Sequence, residues 1–120
     1  MNNFEFSEGF KKRTQDFALR IIKLYKVLSP KMECQVIGKQ LLRCGTSVAS
    51  NYRAACVARS RAEFLSKMSI VVEEADESVF WLELIIATDS FPSKKLEPLL
   101  SEAKEILSIV STARKTAKSN

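Results

Sequence analysis

Along almost the whole chain, core-type residues recur at alternating steps of three and four, the spacing that stacks side chains on one face of an α-helix. Between Ser7 and Ser29 the pattern runs Phe10, Thr14, Phe17, Ile21, Leu24 and Leu28, with Lys11, Lys12, Arg13, Arg20, Lys23 and Lys26 interleaved. Ser7 is a candidate N-cap with Glu8 in the first turn, and Ser29-Pro30 stops the helix because the residue before proline disfavours the α region. A second run, Cys34, Ile37, Leu41, Cys44 and Val48, continues through Tyr52 and Ala55. Its other positions are unusually small, among them Gly38, Gly45, Ser47, Ala49 and Ser50. A glycine inside a helix costs about 1 kcal/mol relative to alanine. Two of them imply close approach of a neighbouring helix or a bend, and packing is the expected gain.

The third run opens with Ser60 and Glu63, the spacing of a capping box that satisfies amides left unpaired by the first helical turn. Its main stripe is Phe64, Met68, Val71, Ala75, Ser78, Leu82 and Ile85. A second stripe, Leu65, Val72, Val79 and Ile86, lies beside it, and Ile70, Phe80, Trp81 and Leu84 add further apolar area. That is more than one bundle core can use, so an interface between copies is expected on this helix. The last run steps through Leu96, Leu99, Ala103, Ile106, Val110, Ala113 and Ala117, with Glu97, Glu102, Lys104 and Glu105 between, and the segment from Lys115 to Asn120 is expected to fray.

The pattern therefore predicts helices over 7–29, 32–57, 60–89 and 93–117. Connections of a few residues force successive helices to run antiparallel, giving an all-α, antiparallel up-down-up-down four-helix bundle over residues 1–120 as one domain. Steps averaging about 3.5 residues suit nearly aligned helices.

Composition agrees with a packed helical domain: 120 residues, 46% hydrophobic, with three glycines and three prolines. Cys34, Cys44 and Cys56 form no C-x-x-C pair and the chain has no histidine, which removes most metal and redox chemistry. Buried thiols in a reducing cytoplasm are the expectation. No window reaches the roughly 18 apolar residues of a membrane span, and the first residues carry no apolar run of signal-peptide length.

Charge is distributed unevenly. Residues 1–61 carry +8 and residues 62–120 carry −3, together the net +5. Lys11, Lys12, Arg13, Arg20, Lys23, Lys26, Lys39, Arg43, Arg59 and Arg61 are the candidate contacts to a phosphate backbone, with Arg53 beside them. The alternative is ordinary solvated surface plus charge matching between helices. Glu73, Glu74, Asp76 and Glu77 are the one acidic cluster. Bundle di-metal sites need histidines that are absent here, so an ion-pair network with Arg43 or Arg53 is expected instead, and no cofactor. Serine and cysteine nucleophiles lack a histidine base, and no Gly-rich turn cradles phosphate, so no enzyme is expected. Ser47, Ser50 and Asn51 read as hydrogen-bonding groups at a close helix contact.

SVASNYRAA at 47–55, RSRAEF at 59–64 and EEADESVFWLELI at 73–85 resemble a bacterial four-helix-bundle family first known from proteins encoded by intervening sequences in large-subunit ribosomal RNA genes. The matching positions are Ser47, Asn51, Arg53, Ser60, Glu63, Phe64, Glu73, Glu77 and Trp81, which look like architecture. Where many relatives have glycine after the Asn run, this chain has Ala54-Ala55-Cys56. The resemblance implies a homopentamer without known catalysis. The accessory protein of diversity-generating retroelements, a basic pentamer that works with a reverse transcriptase and its RNA, is similar to this family. The resulting expectation is a cytoplasmic, non-enzymatic oligomer that binds RNA or DNA without strong sequence preference. The other reading is a scaffold for a protein partner such as a reverse transcriptase.

Overall fold

Four helices account for nearly all of residues 3–119, which a computed structural model describes: α1 Asn3–Val27, α2 Met32–Cys56, α3 Arg61–Ala87 and α4 Ser93–Ser119. A 27-residue helix is about 40 Å long, and the molecule measures 46 × 25 × 20 Å, so the helices lie along its long axis. Each helix packs on the next in sequence, and α4 returns to touch α1. This is the expected antiparallel four-helix bundle.

The stripes read from the sequence are the core. Phe10, Phe17, Ile21 and Leu24 of α1 meet Leu41, Cys44 and Val48 of α2, Met68, Val71, Leu82 and Ile85 of α3, and Leu96, Ile106 and Val110 of α4. Thr14 is fully buried, and its hydroxyl donates to the Lys11 carbonyl (2.9 Å), so it enters the core without an unpaired proton. Cys34 and Cys44 are buried free thiols, as expected, and Cys56 is a half-buried one.

Several boundaries differ from the sequence expectation. α1 is already helical at Asn3, a turn before Ser7, and Phe6 stacks on Phe10 at 5.9 Å, which gives the extra turn an apolar contact. Ser7 is accordingly inside the helix and bonds the Tyr52 side chain. α3 ends at Ala87, and Asp89 takes a left-handed φ of 58° that turns the chain toward α4. α4 does not fray at Lys115: it is helical to Ser119, and the Arg61 guanidinium donates to the Ala117 carbonyl near its end. Asn120 lies outside the described residues. The second stripe of α3 is also used differently than expected. Val79 is buried and Val72 and Ile86 pack against the core, so the bundle itself absorbs most of that stripe. Phe80 and Leu84 are what remain in solvent, 52% and 37% exposed.

Both buried glycines of α2 serve the contact with α1. A Cβ at Gly45 would stand 2.9 Å from Ile21 Cγ1, and one at Gly38 would stand 2.7 Å from Leu28 Cδ1. Ile21 is buried and stiff at χ1, and at Gly38 the Leu28 methyl is itself buried, with the Tyr25 ring 3.0 Å from the added Cβ. Gly45→Ala and Gly38→Ala should therefore each lose about 1–3 kcal/mol of stability through overpacking. Gly9 has nothing within 4 Å of an added Cβ, so Gly9→Ala should gain about 0.5–1 kcal/mol. Urea midpoints of the three variants check this; equal stabilisation by Gly45→Ala and Gly9→Ala would contradict it.

Tyr52 is buried edge-on against Phe10, with ring centroids 4.9 Å apart, and burial pushes its phenol from 10.0 up to about 12. Burial likewise raises the Cys44 and Cys56 thiols above their ordinary 9.0. In each case the folded chain holds the proton more tightly than the unfolded chain, so stability falls as pH rises past the ordinary value. Thermal midpoints should begin to drop above pH 9.0 and fall further between pH 10.0 and about 12. Tyr52→Phe should flatten the upper part of that fall; an equally steep fall in the variant would contradict the assignment.

Candidate nucleic-acid interface

Inter-helix ion pairs divide the candidate cations into two groups. Arg13 of α1 reaches α4, where Nε donates to Glu102 Oε2 (2.8 Å) and Nη2 to Glu102 Oε1 (2.7 Å), with Glu105 at 3.2 Å. This fork-to-fork geometry is the strong form of the contact. The bonds to Glu102 hold the guanidinium charged, well above its ordinary range. Arg43 of α2 bridges Glu74 (Nη1 to Oε2, 3.1 Å) and Glu77 of α3. Arg61 is engaged with Ala117 as described above. Each of these three arginines is bonded to a neighbouring helix, and a phosphate could recruit them only by breaking those bonds.

The acidic cluster is that same Arg43 network. The carboxylates involved are Glu74 and Glu77; Glu73, which the spacing placed beside Glu77, is exposed. Trp81 Nε1 donates to Glu77 Oε2 (3.3 Å), and its ring packs edge-on against Phe80 at 4.8 Å. Cys44 lies close enough to complete a three-ligand set with Glu74 and Glu77. Burial holds it as a thiol, with Ser78 Oγ 3.3 Å away, and the Arg43 guanidinium occupies the carboxylates. The donor set does not fit a resident cation, because the charge a metal would supply is already present.

The remaining motif residues are architectural. Asn51 Nδ2 donates to Ser47 Oγ (2.9 Å) and to the Ser47 carbonyl (3.0 Å), a bond within α2. Ser60 caps α3 by accepting from the Glu63 amide (3.0 Å). Glu63 reaches back to the amide of Arg59 (3.4 Å), not of Ser60, so the box is shifted by one residue. Phe64 is half-buried against the core.

Most of the other cations line α1 and the grooves on either side of it, while Lys39 of α2 and Arg59 in the α2–α3 connection lie outside both grooves. Lys11, Lys12 and Gln15 of α1 face Thr46, Ser50 and Arg53 of α2 across a groove of about 800 Å³. Lys11 is held by Glu8 (2.8 Å), and Lys12 loosely by Asp16 (3.4 Å). Of the two arginines expected as alternatives for the Glu cluster, Arg43 takes that place and Arg53 lines this groove. Across the other flank, Arg20 and Lys23 of α1 face Lys95 of α4 in a shallow groove of about 270 Å³. The first turn of α4 holds Lys94 and Lys95 and no acid, so its helix dipole adds to the positive potential there. Among the described residues, Arg20, Lys23, Lys26, Lys39, Arg53 and Arg59 are exposed and carry no ion pair. From Lys12 to Lys23 the two grooves are about 16 Å apart along α1. Lys94, Lys95 and Phe91 were not singled out from the sequence; only the closure of α4 onto α1 brings them to this surface.

The profile of a family described as 23S rRNA-intervening sequence protein matches residues 9–112. Among solved structures, the chain is similar to the crystal structure of a protein of unknown function from the S23 ribosomal protein family of Bacteroides thetaiotaomicron. The two share 37% sequence identity and a TM-score of 0.83, over 91% of this chain and 97% of that one. No curated protein matches the chain significantly. No helix among the described residues is long and apolar enough to cross a membrane.

With Arg43 in the carboxylate cluster, added zinc should leave the thermal midpoint of the chain unchanged. A rise in midpoint that disappears in Glu74→Gln would contradict this assignment.

Proposed function

The chain belongs to the 23S rRNA-intervening sequence protein family, and from that premise we propose that it is a non-enzymatic cytoplasmic binding protein. Its copies assemble, and the basic surface of α1 holds RNA or DNA by the phosphate backbone without strong sequence preference. The observation that carries this is the set of exposed cations without ion pairs on and beside α1: Arg20, Lys23, Lys26, Lys39 and Arg53. Such side chains can meet phosphates by releasing only counterions, which makes the binding strongly salt-dependent. An arginine already forked onto a carboxylate has to break that pair first.

Assembly is supported by the apolar surface left on the outside of α3. Phe80 and Leu84 are exposed beside half-buried Trp81, and Val36 and Met32 of α2 are exposed at the same end of the bundle. A second copy of the chain would remove this area from water, and a ring of five, the number the resemblance implies, would multiply the +5 carried by each subunit. The same apolar face supports a second reading, a scaffold for another polypeptide such as a reverse transcriptase, with no nucleic-acid role.

Binding of a labelled RNA should be measurable at low salt and collapse at moderate salt. The triple substitution Arg20→Ala, Lys23→Ala and Lys26→Ala should reduce the slope of log K against log salt by about 0.7–0.9 per lost contact. Arg43→Ala should leave that slope unchanged. Salt-insensitive or absent binding would overturn the nucleic-acid reading, and an oligomer free of nucleic acid at low salt would favour the scaffold. Leu84→Glu should lower the mass measured by light scattering to that of a single chain.

A further inference from the structure

The two grooves that flank α1 differ in their lining. The α1/α2 groove has no aromatic or large aliphatic side chain in its lining, which includes Thr46, Ala49 and Ser50, and the Glu8 carboxylate stands among its cations. The α1/α4 groove is lined by Arg20, Lys23 and Lys95 over buried Leu24, Leu96 and Leu99, with exposed Val27 and half-buried Phe91 adding apolar surface; no acidic residue lines it.

We propose that the α1/α4 groove receives an unstacked base of a single-stranded nucleic acid on Phe91 and Val27, with the neighbouring phosphates held by Arg20, Lys23 and Lys95. This rests on the nucleic-acid reading above and adds to it a preference for single strands. A cationic rim around an apolar floor complements a ligand that is anionic along its length and flat and apolar at intervals. A duplex offers the rim its phosphates but keeps its bases paired and stacked, so the floor stays wet. A single strand turns bases outward, and stacking on an aromatic side chain is tolerant of sequence because every base has a π-face. Size favours the same occupant. At about 270 Å³ the groove is smaller than typical drug-sized pockets. It spans residues 20–27 of α1, only about 10 Å of helix.

The test compares a labelled, unstructured oligouridine with a blunt RNA duplex of equal length, by fluorescence anisotropy at low salt. The single strand should bind more tightly. Phe91→Leu, which keeps apolar volume at the groove, should weaken single-strand binding about 5-fold or more and leave duplex binding unchanged, while Lys95→Ala weakens both. Circular dichroism of Phe91→Leu confirms that the bundle is intact. Equal affinities for strand and duplex, or a Phe91→Leu effect that is absent or the same on both, would overturn the single-strand preference while leaving the broader reading standing. Failure of both RNAs to bind would overturn the broader reading and this inference with it. A polyglutamate peptide that binds as tightly as the oligouridine, and loses affinity equally in Phe91→Leu, would replace the base with an acidic protein segment.

Discussion

The forked bond from Arg13 to Glu102 crosses the one seam of the bundle that no loop closes. Short connections hold α1 to α2, α2 to α3 and α3 to α4, but α1 and α4 are distant in sequence and meet more sparsely than any other adjacent pair. Two charge-assisted bonds at 2.8 and 2.7 Å, with Glu105 beside them, fix the height of one helix against the other. That register brings Lys95 and Phe91 alongside Arg20 and Lys23, and so makes the α1/α4 groove. It also withdraws Arg13 from the surface available to a partner. Arg43 does the same across α2 and α3, in a position that the sequence equally allowed to be a phosphate contact.

Much of the fold was legible in the sequence, because a period of three and four is a local property that tertiary context did not override. Phe17, Leu41, Met68 and Ile106 were all placed in the core by spacing alone, and each is essentially inaccessible to solvent. The capping serine of α3 and the tight contact at the α2 glycines were also readable, since small residues and caps have few uses inside helices. What escaped depended on partners. The additional turn of α1 rests on a ring contact between Phe6 and Phe10, and the end of α4 has Arg61 from another helix. The second stripe of α3 looked like surplus because its neighbours on α4 could not be counted from α3 alone.

The same distinction applies to the candidate interface. Sequence identified a basic first half and ten candidate cations, but it could not tell an arginine between two glutamates from one in solvent. Arg13 and Arg43 belong to the first kind, Arg20 and Arg53 to the second. Sorting them needs the rotation and register of four helices, which a charge count does not contain. The outcome moves the centre of the basic surface toward the outer side of α1 and onto the first turn of α4. Motif residues such as Ser47, Asn51 and Ser60 bond within their own helix or cap it, which gives them a structural reason to be there without a ligand.

A double-mutant cycle on Arg13→Ala and Glu102→Ala, read as urea unfolding free energies, tests the central claim most directly. If the pair fixes the α1/α4 seam, its coupling energy should be about 1–2 kcal/mol, within the range seen for contacting residues. Additive single effects, with coupling near zero, would mean that Arg13 is surface charge like its neighbours and that inter-helix pairing does not sort the cations.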